Sequence, residues 1–451
     1  MKIKNLKNYK IAILGFGKEG KSTLNFLKKV GVKNISILDK NNINLEENIG
    51  NIKIITGDSY LNKLGEYDYI FKSPGISPYN KKIEKYRDKL ISGTEIFFDN
   101  YKGKSICVTG TKGKSTISTL IYKTLKKAGL KVKLVGNIGN PVLDEINLLN
   151  EKVYDFVVYE MSSYMLETLK PKSYISIINN IYDCHIDWHN GRKNYINAKK
   201  NIIINAENKI VNYELKNKIS SKNIFYFGKK GNYKYSENNF FINEKKILED
   251  KNILLKGEHN RYNISAVIGV LDIISKDRKK ENLFFELKEV LKSFSGLAHR
   301  MENIGAKKGI TFIDDAIAVT SESTIAAIKT FGENVDTIFL GGQDSGLDFS
   351  KLRKTLKDYN IKNIVLFPDS GNRIFLDFSN NLEFDKEVVL EGNYSPKLFK
   401  TKSMKKAVDF AFKNTTKGKI CLLSCASPSF SLWSGFEEKG NLFKKEVETY
   451  V

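Results

Sequence analysis

Two glycine-rich loops constrain this chain more than any other feature, because each follows a short apolar run and opens a helical one. The first, GFGKEGKS at Gly15 to Ser22, comes after KIAIL. It leads into Leu24, Phe26, Leu27 and Val30 at helical spacing, closed by Gly31. The second, GTKGKST at Gly110 to Thr116, follows KSICV. Strand, glycine turn and helix in that order build a parallel α/β sheet, in which ligands bind at the carboxyl ends of the strands. Further strand-like runs (NISILDK, YDYIFKS, VYDFVVYE, YISIINNI, ITFIDDAIAV, VDTIFLGG, IKNIVLF, KICLLSCAS) alternate with helical ones. At 451 residues the chain is too long for one core. The pattern predicts three α/β domains, at 1–93, 94–296 and 297–451.

The loops are not equivalent. Gly15 to Ser22 satisfies G-x-x-x-x-G-K-[ST] and also G-x-G-x-x-G, whereas Val108 stands where the second loop would need its first glycine. Pattern matching alone therefore puts a nucleoside triphosphate at the first loop. Phosphoryl transfer also needs a divalent cation, and so a carboxylate at a nearby strand end. VYDFVVYE supplies Glu160 in the same unit as the second loop. After the first loop the next strand ends in Asp39, placed for a ribose or base contact. The second loop is thus the expected ATP loop, with Lys114 on the β- and γ-phosphates and Ser115 or Thr116 reaching Mg²⁺. The first loop is the expected nucleotide-recognition turn. The expected folds are Rossmann-like for the N-terminal domain and P-loop ATPase-type for the central one, with a Rossmann-like α/β fold expected for the C-terminal domain, where strands and helices alternate.

Composition narrows the class. The N-terminus lacks the apolar stretch of a signal peptide, and no segment approaches the ~20 apolar residues of a membrane span. Cys107, Cys184, Cys421 and Cys425 are too scattered for a disulfide framework; Cys421 and Cys425, in an apolar strand-like run, are expected to be buried free thiols, and a reducing cytoplasm fits. The net charge of +23 comes from lysines spread along the whole chain, with no basic stripe and no aromatic-basic module, so no nucleic-acid partner is expected. A dehydrogenase would explain the first loop and Asp39, but not the second loop with Glu160.

After the ATP loop come EMSSYML, with Glu160, Ser162 and Ser163, and then HIDWH, with His185, Asp187 and His189. YINAKK carries Lys199, and GEHNRYN and GLAHRME follow. His185 and His189 also permit a zinc reading, against which stand the lack of a cysteine pair and the loop-forming Gly191. This ordered set, over residues 104–302, resembles the Mur ligase superfamily. GFGKEG, Asp39-Lys40 and SPGIS, in the roughly 100 residues before the ATP loop, resemble the UDP-N-acetylmuramoyl-L-alanine:D-glutamate ligases within it. NIGNP and the C-terminal LLSCASPSFSLWSGFEEKGNLF point the same way.

The resemblance implies ATP-dependent amide-bond formation through an acyl phosphate, with UDP-N-acetylmuramoyl-L-alanine and D-glutamate as substrates, in a monomer. It implies ATP binding by Gly110, Thr111, Lys112, Gly113, Lys114, Ser115, Thr116, Asn260, Asn263, Arg300 and Asp315. Asn260 and Asn263 also suit helix-start caps. One Mg²⁺ would be held by Ser115 and Glu160 and a second by His185 and Lys199, with Lys199 carbamylated by CO₂. Lys114, His185 and Lys199 are the implied catalytic groups. Lys18, Glu19, Asp39, Lys40, Ser73, Gly75 and Asn137 are the implied UDP-substrate contacts. Ser345, Ser429 and Phe436 are the implied amino-acid contacts.

The third domain departs from the family pattern. Asp315, Ala316, Ile317, Ala318 and Val319 replace an Asp-Ser-x-Ala-Thr segment, so two hydroxyls are missing. Ser345 stands where a basic residue often holds the glutamate side chain. L-glutamate or another amino acid is therefore the alternative acceptor.

Overall fold

The computed structural model describes residues 2–43, 52–138, 140–146, 148, 154–182, 184–255, 257–279, 282–344, 346–375 and 382–450. Around the first glycine loop, β1 (Ile11–Leu14), β2 (Ile35–Asp39), β3 (Lys53–Thr56), β4 (Tyr69–Lys72) and β5 (Leu90–Ile91) form a parallel sheet in the order β3-β2-β1-β4-β5. This is the Rossmann-like order, with β1 at the centre. The helix Lys18–Val30 lies so close to β1 that a Cβ at Gly20 would collide with the carbonyl oxygen of Gly15. That close approach is what the glycine spacing encodes.

The second sheet is nine-stranded, in the order β14-β13-β12-β11-β10-β9-β6-β8-β7. Its first strands are β6 (Ser105–Thr109), β7 (Val132–Gly136), β8 (Phe156–Glu160) and β9 (Lys172–Ile178). β10 (Asn205–Asn212), β11 (Ile224–Gly228) and β12 (Tyr233–Ser236) extend it in parallel. β13 (Asn239–Ile242) and β14 (Lys245–Glu249) finish it as antiparallel hairpins. The helix Glu258–Arg278 packs on the helix Lys114–Lys127 and on β11 and β12, burying Ile264, Val267, Ile268 and Leu271. At ~25 cal/mol per Å², such faces hold the P-loop helix in place.

A third sheet contains β15 (Glu302–Lys307), β16 (Ile310–Asp314), β17 (Val335–Gly341), β18 (Asn363–Phe367), β19 (Glu387–Val389), β20 (Lys397–Lys400) and β21 (Ile420–Leu423). Its order is β15-β16-β21-β17-β18-β20-β19, with β15 and β19 as antiparallel edges. Alternation along the strands builds two cores. Ile313, Ile338, Leu340, Ile364 and Leu422 face one side, while Phe312, Phe339, Val365, Phe367 and Leu423 face the other.

The chain divides into two units at Phe294/Ser295. The first holds both the five- and the nine-stranded sheets, and the second begins two residues before the expected 296/297 boundary. Cys421 and Cys425 are buried free thiols, as expected; Cys107 is buried as well, and Cys184 is half-buried. Among the described residues no helix is long and apolar enough to cross a membrane.

Candidate active site

The helix Lys114–Lys127 begins at the lysine itself, behind Gly113 with φ +79°. In the first loop the helix already starts at Lys18, so Lys21 lies inside it and is exposed. That difference separates the two motif lysines where the pattern does not: Lys114 is the first residue of its helix, beside the unpaired N–H groups that suit an anion, and Lys21 is the fourth residue of its own.

A network of asparagines shapes the loop at Gly110 to Gly113. Thr111 N donates to Asn180 O at 2.9 Å and Lys112 N to Asn180 Oδ1 at 2.8 Å. Asn179 Nδ2 donates to Lys112 O and to Asn263 Oδ1, both at 2.9 Å, and Asn263 Nδ2 donates to Asn260 Oδ1 at 2.9 Å. A side chain at Gly113 would strike Asn179 and Asn263. Asn260 and Asn263 therefore brace the loop. The cap of their helix is Gly257, so the capping alternative is excluded. Asn179, Asn180 and Tyr195 were missed in the sequence. The Tyr195 hydroxyl lies 2.7 Å from Thr111 Oγ1. Their signal was the Asn-Asn pair at the end of a strand. Lys114 Nζ donates to the carbonyls of Gly110 and Thr111 at 3.0 and 3.1 Å, while Ser115 and Thr116 are buried.

Glu160 ends β8 and is fully buried. Asn137 Nδ2 donates to its Oε1 at 2.8 Å, and Oε2 has no partner among the described residues. Lys199 is 2% exposed, and its ammonium donates to Gly110 O at 2.9 Å. It has no ion pair among the described residues. Burial first, and then Lys114, push its pKa well below the ordinary lysine value. His185 keeps much of its surface in solvent and has a left-handed backbone (φ +55°); partial desolvation of its ring, then Lys199, His189 and Lys114, hold it below the usual histidine range. His189 is fully buried with both ring nitrogens engaged, by Glu167 and Ser163, which removes the zinc reading.

In the N-terminal sheet, Asp39 accepts from Phe16 N at 2.7 Å and Asn41 N at 2.8 Å, and Ser73 Oγ donates to Gly15 O at 2.8 Å. Both hold the glycine turn in shape. Lys18, Lys40 and Gly75 are exposed nearby in sequence order. Glu19 is raised to about 7 by burial and by Asp144. It lines a small cavity with Lys72, Ser73 and Thr94.

The second unit places Asp315 immediately after β16, accepting from Ser424 Oγ at 2.8 Å and Met301 N at 3.1 Å. Burial raises its carboxyl to about 7. Arg300 Nε and Ser429 Oγ are buried without partners among the described residues. Phe436 opens the helix Phe436–Glu448, 6.1 Å from the His299 ring. His299, Glu302 and Asp314 have metal-like spacing, but Lys444 Nζ is 2.6 Å from Glu302 and 3.8 Å from Asp314, so an ammonium already neutralises them. Ser345 lies outside the described residues.

The profile of the Mur ligase middle domain matches residues 108–271, and that of the MurD-like N-terminal domain of Mur ligases matches residues 9–94. The UDP-N-acetylmuramoylalanine--D-glutamate ligase of Clostridium tetani is 30% identical over 98% of this chain and 97% of its own length. The enzyme of the same name from Ligilactobacillus salivarius is 32% identical, covering 99% of this chain and 97% of its own length. Among solved structures, the UDP-N-acetylmuramate-alanine ligase of Thermotoga maritima superposes with a TM-score of 0.57 at 19% identity, covering 98% of this chain and 99% of that one. That likeness speaks for the fold. On these matches over nearly its whole length the chain belongs to the Mur ligase family, and within it to the UDP-N-acetylmuramoylalanine--D-glutamate ligases.

Proposed function

We propose that this chain joins D-glutamate to UDP-N-acetylmuramoyl-L-alanine, with ATP as phosphoryl donor, in peptidoglycan precursor synthesis. The observation that carries the reading is the second glycine loop flanked by the unpartnered Glu160 Oε2 and by a buried Lys199 amine that has a hydrogen bond to Gly110 O but no carboxylate partner among the described residues. Each is costly alone and is explained by what it would hold.

The backbone N–H groups from Gly110 to Thr116 cradle the phosphates. Lys114 exchanges its two loop carbonyls for the γ-phosphate. The orphaned Glu160 oxygen fits a divalent cation, with Ser115 beside it in sequence logic and His185 and Lys199 as the second set. When bound, Mg²⁺ neutralises the two anions that must approach each other, the alanyl carboxylate and the γ-phosphate. An alanyl carboxylate oxygen attacks phosphorus and ADP leaves. The amine of the incoming amino acid then attacks the acyl carbon, and phosphate departs with one oxygen of the former carboxylate.

Lys199 enters as a carbamate. Burial beside Lys114 favours the neutral amine, whose lone pair attacks CO₂ and releases a proton to solvent. A repelled cation becomes an anionic ligand. Asn260, Asn263, Arg300 and Asp315 serve the nucleotide. Lys18, Glu19, Asp39, Lys40, Ser73, Gly75 and Asn137 serve the UDP substrate, and Ser345, Ser429 and Phe436 the amino acid. Four free thiols support a cytoplasmic enzyme.

Ala316, Val319 and Ser345 favour a second reading, in which L-glutamate or another amino acid is the acceptor. Phosphate release measured with UDP-N-acetylmuramoyl-L-alanine over a panel of D- and L-amino acids decides. The account expects release that requires the UDP substrate and is greatest with D-glutamate. Greater release with another amino acid supports the second reading. Release driven by DNA or RNA, or indifferent to the UDP substrate, overturns both.

A further inference from the structure

Among the buried polar groups that the phosphate machinery leaves unused is His189, with both ring nitrogens engaged. His189 has no exposed surface. Its Nδ1 is 2.9 Å from Glu167 Oε2 and its Nε2 is 2.9 Å from Ser163 Oγ. A carboxylate can only accept, so Nδ1 carries the hydrogen and Nε2 accepts from the serine hydroxyl; this tautomer is assigned from the network. Serine, histidine and glutamate in this order form a hydrolytic triad elsewhere. Here Ser163 is 3% exposed, which leaves no approach for a substrate carbonyl.

The connections indicate another task. Ser163 lies three residues beyond Glu160, and His189 four beyond His185. The imidazole therefore joins the two segments that bring a carboxylate and a histidine to the phosphates. The left-handed backbone of His185 needs such support, since it costs roughly 1 kcal/mol or more in a residue with a side chain.

Glu167 extends the link towards the N-terminal sheet. It accepts from the Tyr79 hydroxyl and pairs with Arg87 Nη2 at 3.2 Å, and the Arg87 guanidinium lies 4.6 Å from the Tyr79 ring centre. Trp188 Nε1 donates to Gly75 O at 2.9 Å, and Ser77 Oγ donates to Trp188 O at 2.6 Å. The turn at 185–189 is thus bonded at several points to the turn at 73–79.

We propose that His189 is a positioning residue that fixes His185 relative to Glu160 and ties both to the turn 73–79, so that the UDP-substrate segment and the phosphoryl-transfer segment move as one. This rests on the ligase reading above. His189→Phe, close in volume, is expected to lower kcat by roughly 30- to 100-fold through misplacement, with KM for ATP within about twofold. His189→Gln can donate to Glu167 and accept from Ser163, and should recover most of that loss. Tyr79→Phe, at the far end of the network, should lower kcat several-fold.

Thermal midpoints measured alongside separate misplacement from unfolding. Nitrogen-15 NMR of His189 should report a protonated Nδ1 and a free Nε2. Wild-type kcat in His189→Phe, or a folded His189→Gln no better than His189→Phe, overturns the proposal. Labelling of Ser163 by a fluorophosphonate also overturns it. If both His189 variants unfold, Ser163→Ala decides: a several-fold fall in kcat supports the role and an unchanged kcat contradicts it. Wild-type enzyme that releases no phosphate defeats the ligase reading instead, and the NMR signature still tests the network.

Discussion

The amide of Asn137 donates to Oε1 of Glu160 at 2.8 Å, while Oε2 of the same carboxylate is buried with no partner among the described residues. One oxygen is held, and the other is the one we propose for a divalent cation. Glu160→Gln keeps the shape and removes the charge. We expect phosphate release to fall by on the order of 10²- to 10³-fold, the scale of losing one electrostatic contact to the transition state. The thermal midpoint should stay level or rise, because an unpaired buried charge is gone. Activity within twofold of wild type would contradict the role.

The two glycine loops make opposite predictions. Lys114→Ala should abolish ATP turnover, since of the two motif lysines Lys114 opens its helix behind the loop and Lys21 does not. Lys21 is exposed inside a helix, so Lys21→Ala should at most raise the KM for the UDP substrate. ATP binding lost in Lys21→Ala but kept in Lys114→Ala would reverse the assignment.

Lys199 is buried, and its neighbour Lys114 repels its charged form. A free lysine is neutral in only roughly one molecule in 2,500 at pH 7, so this depression is what carbamate formation requires. Lys199→Ala should be nearly inactive and partly rescued by acetate, which can replace the lost carboxylate, whereas Lys200→Ala should be close to normal. A fully active Lys199→Ala enzyme, indifferent to bicarbonate and acetate, would refute the modification.

Asp315 gives a pH prediction for the second unit. Its folded carboxyl is raised to about 7 by burial, against about 3.9 in an unfolded chain. The folded state holds the proton over that window, so this stabilisation is complete below about pH 4 and is lost as pH rises through about 7. Asp315→Asn should flatten the fall in stability across that range. Urea midpoints read from Trp433 fluorescence in a Trp188→Phe background provide the measurement. A slope identical to that of the parent would show that Asp315 is already ionised.

The placement of residues around the second glycine loop was legible in the sequence because strand ends announce it. Glu160 closes an apolar run, Lys114 follows a glycine turn, and both fall where expected. The asparagine bracing was not, since Asn179 and Asn263 are 84 residues apart and meet only through the sheet. The hairpins β12 to β14 were missed for another reason. YKYSENNFFINEKKILE is half polar and lies at a sheet edge, so its alternation is diluted by the lysines and glutamates that protect such an edge.

His189 illustrates a third kind of failure. In sequence it is one of two histidines four apart, and it invited a metal. In the fold Glu167, from a different segment, takes one nitrogen and Ser163 the other. Partner identity in a buried network depends on tertiary placement, which no local spacing encodes.

The most direct test of the central claim is the fate of the substrate's own oxygen. With UDP-N-acetylmuramoyl-L-alanine labelled by ¹⁸O in the alanyl carboxylate, an acyl-phosphate route transfers one labelled oxygen to phosphate for each amide formed. The account predicts singly labelled phosphate in step with product, and none in Lys114→Ala. Unlabelled phosphate released alongside amide product would contradict it.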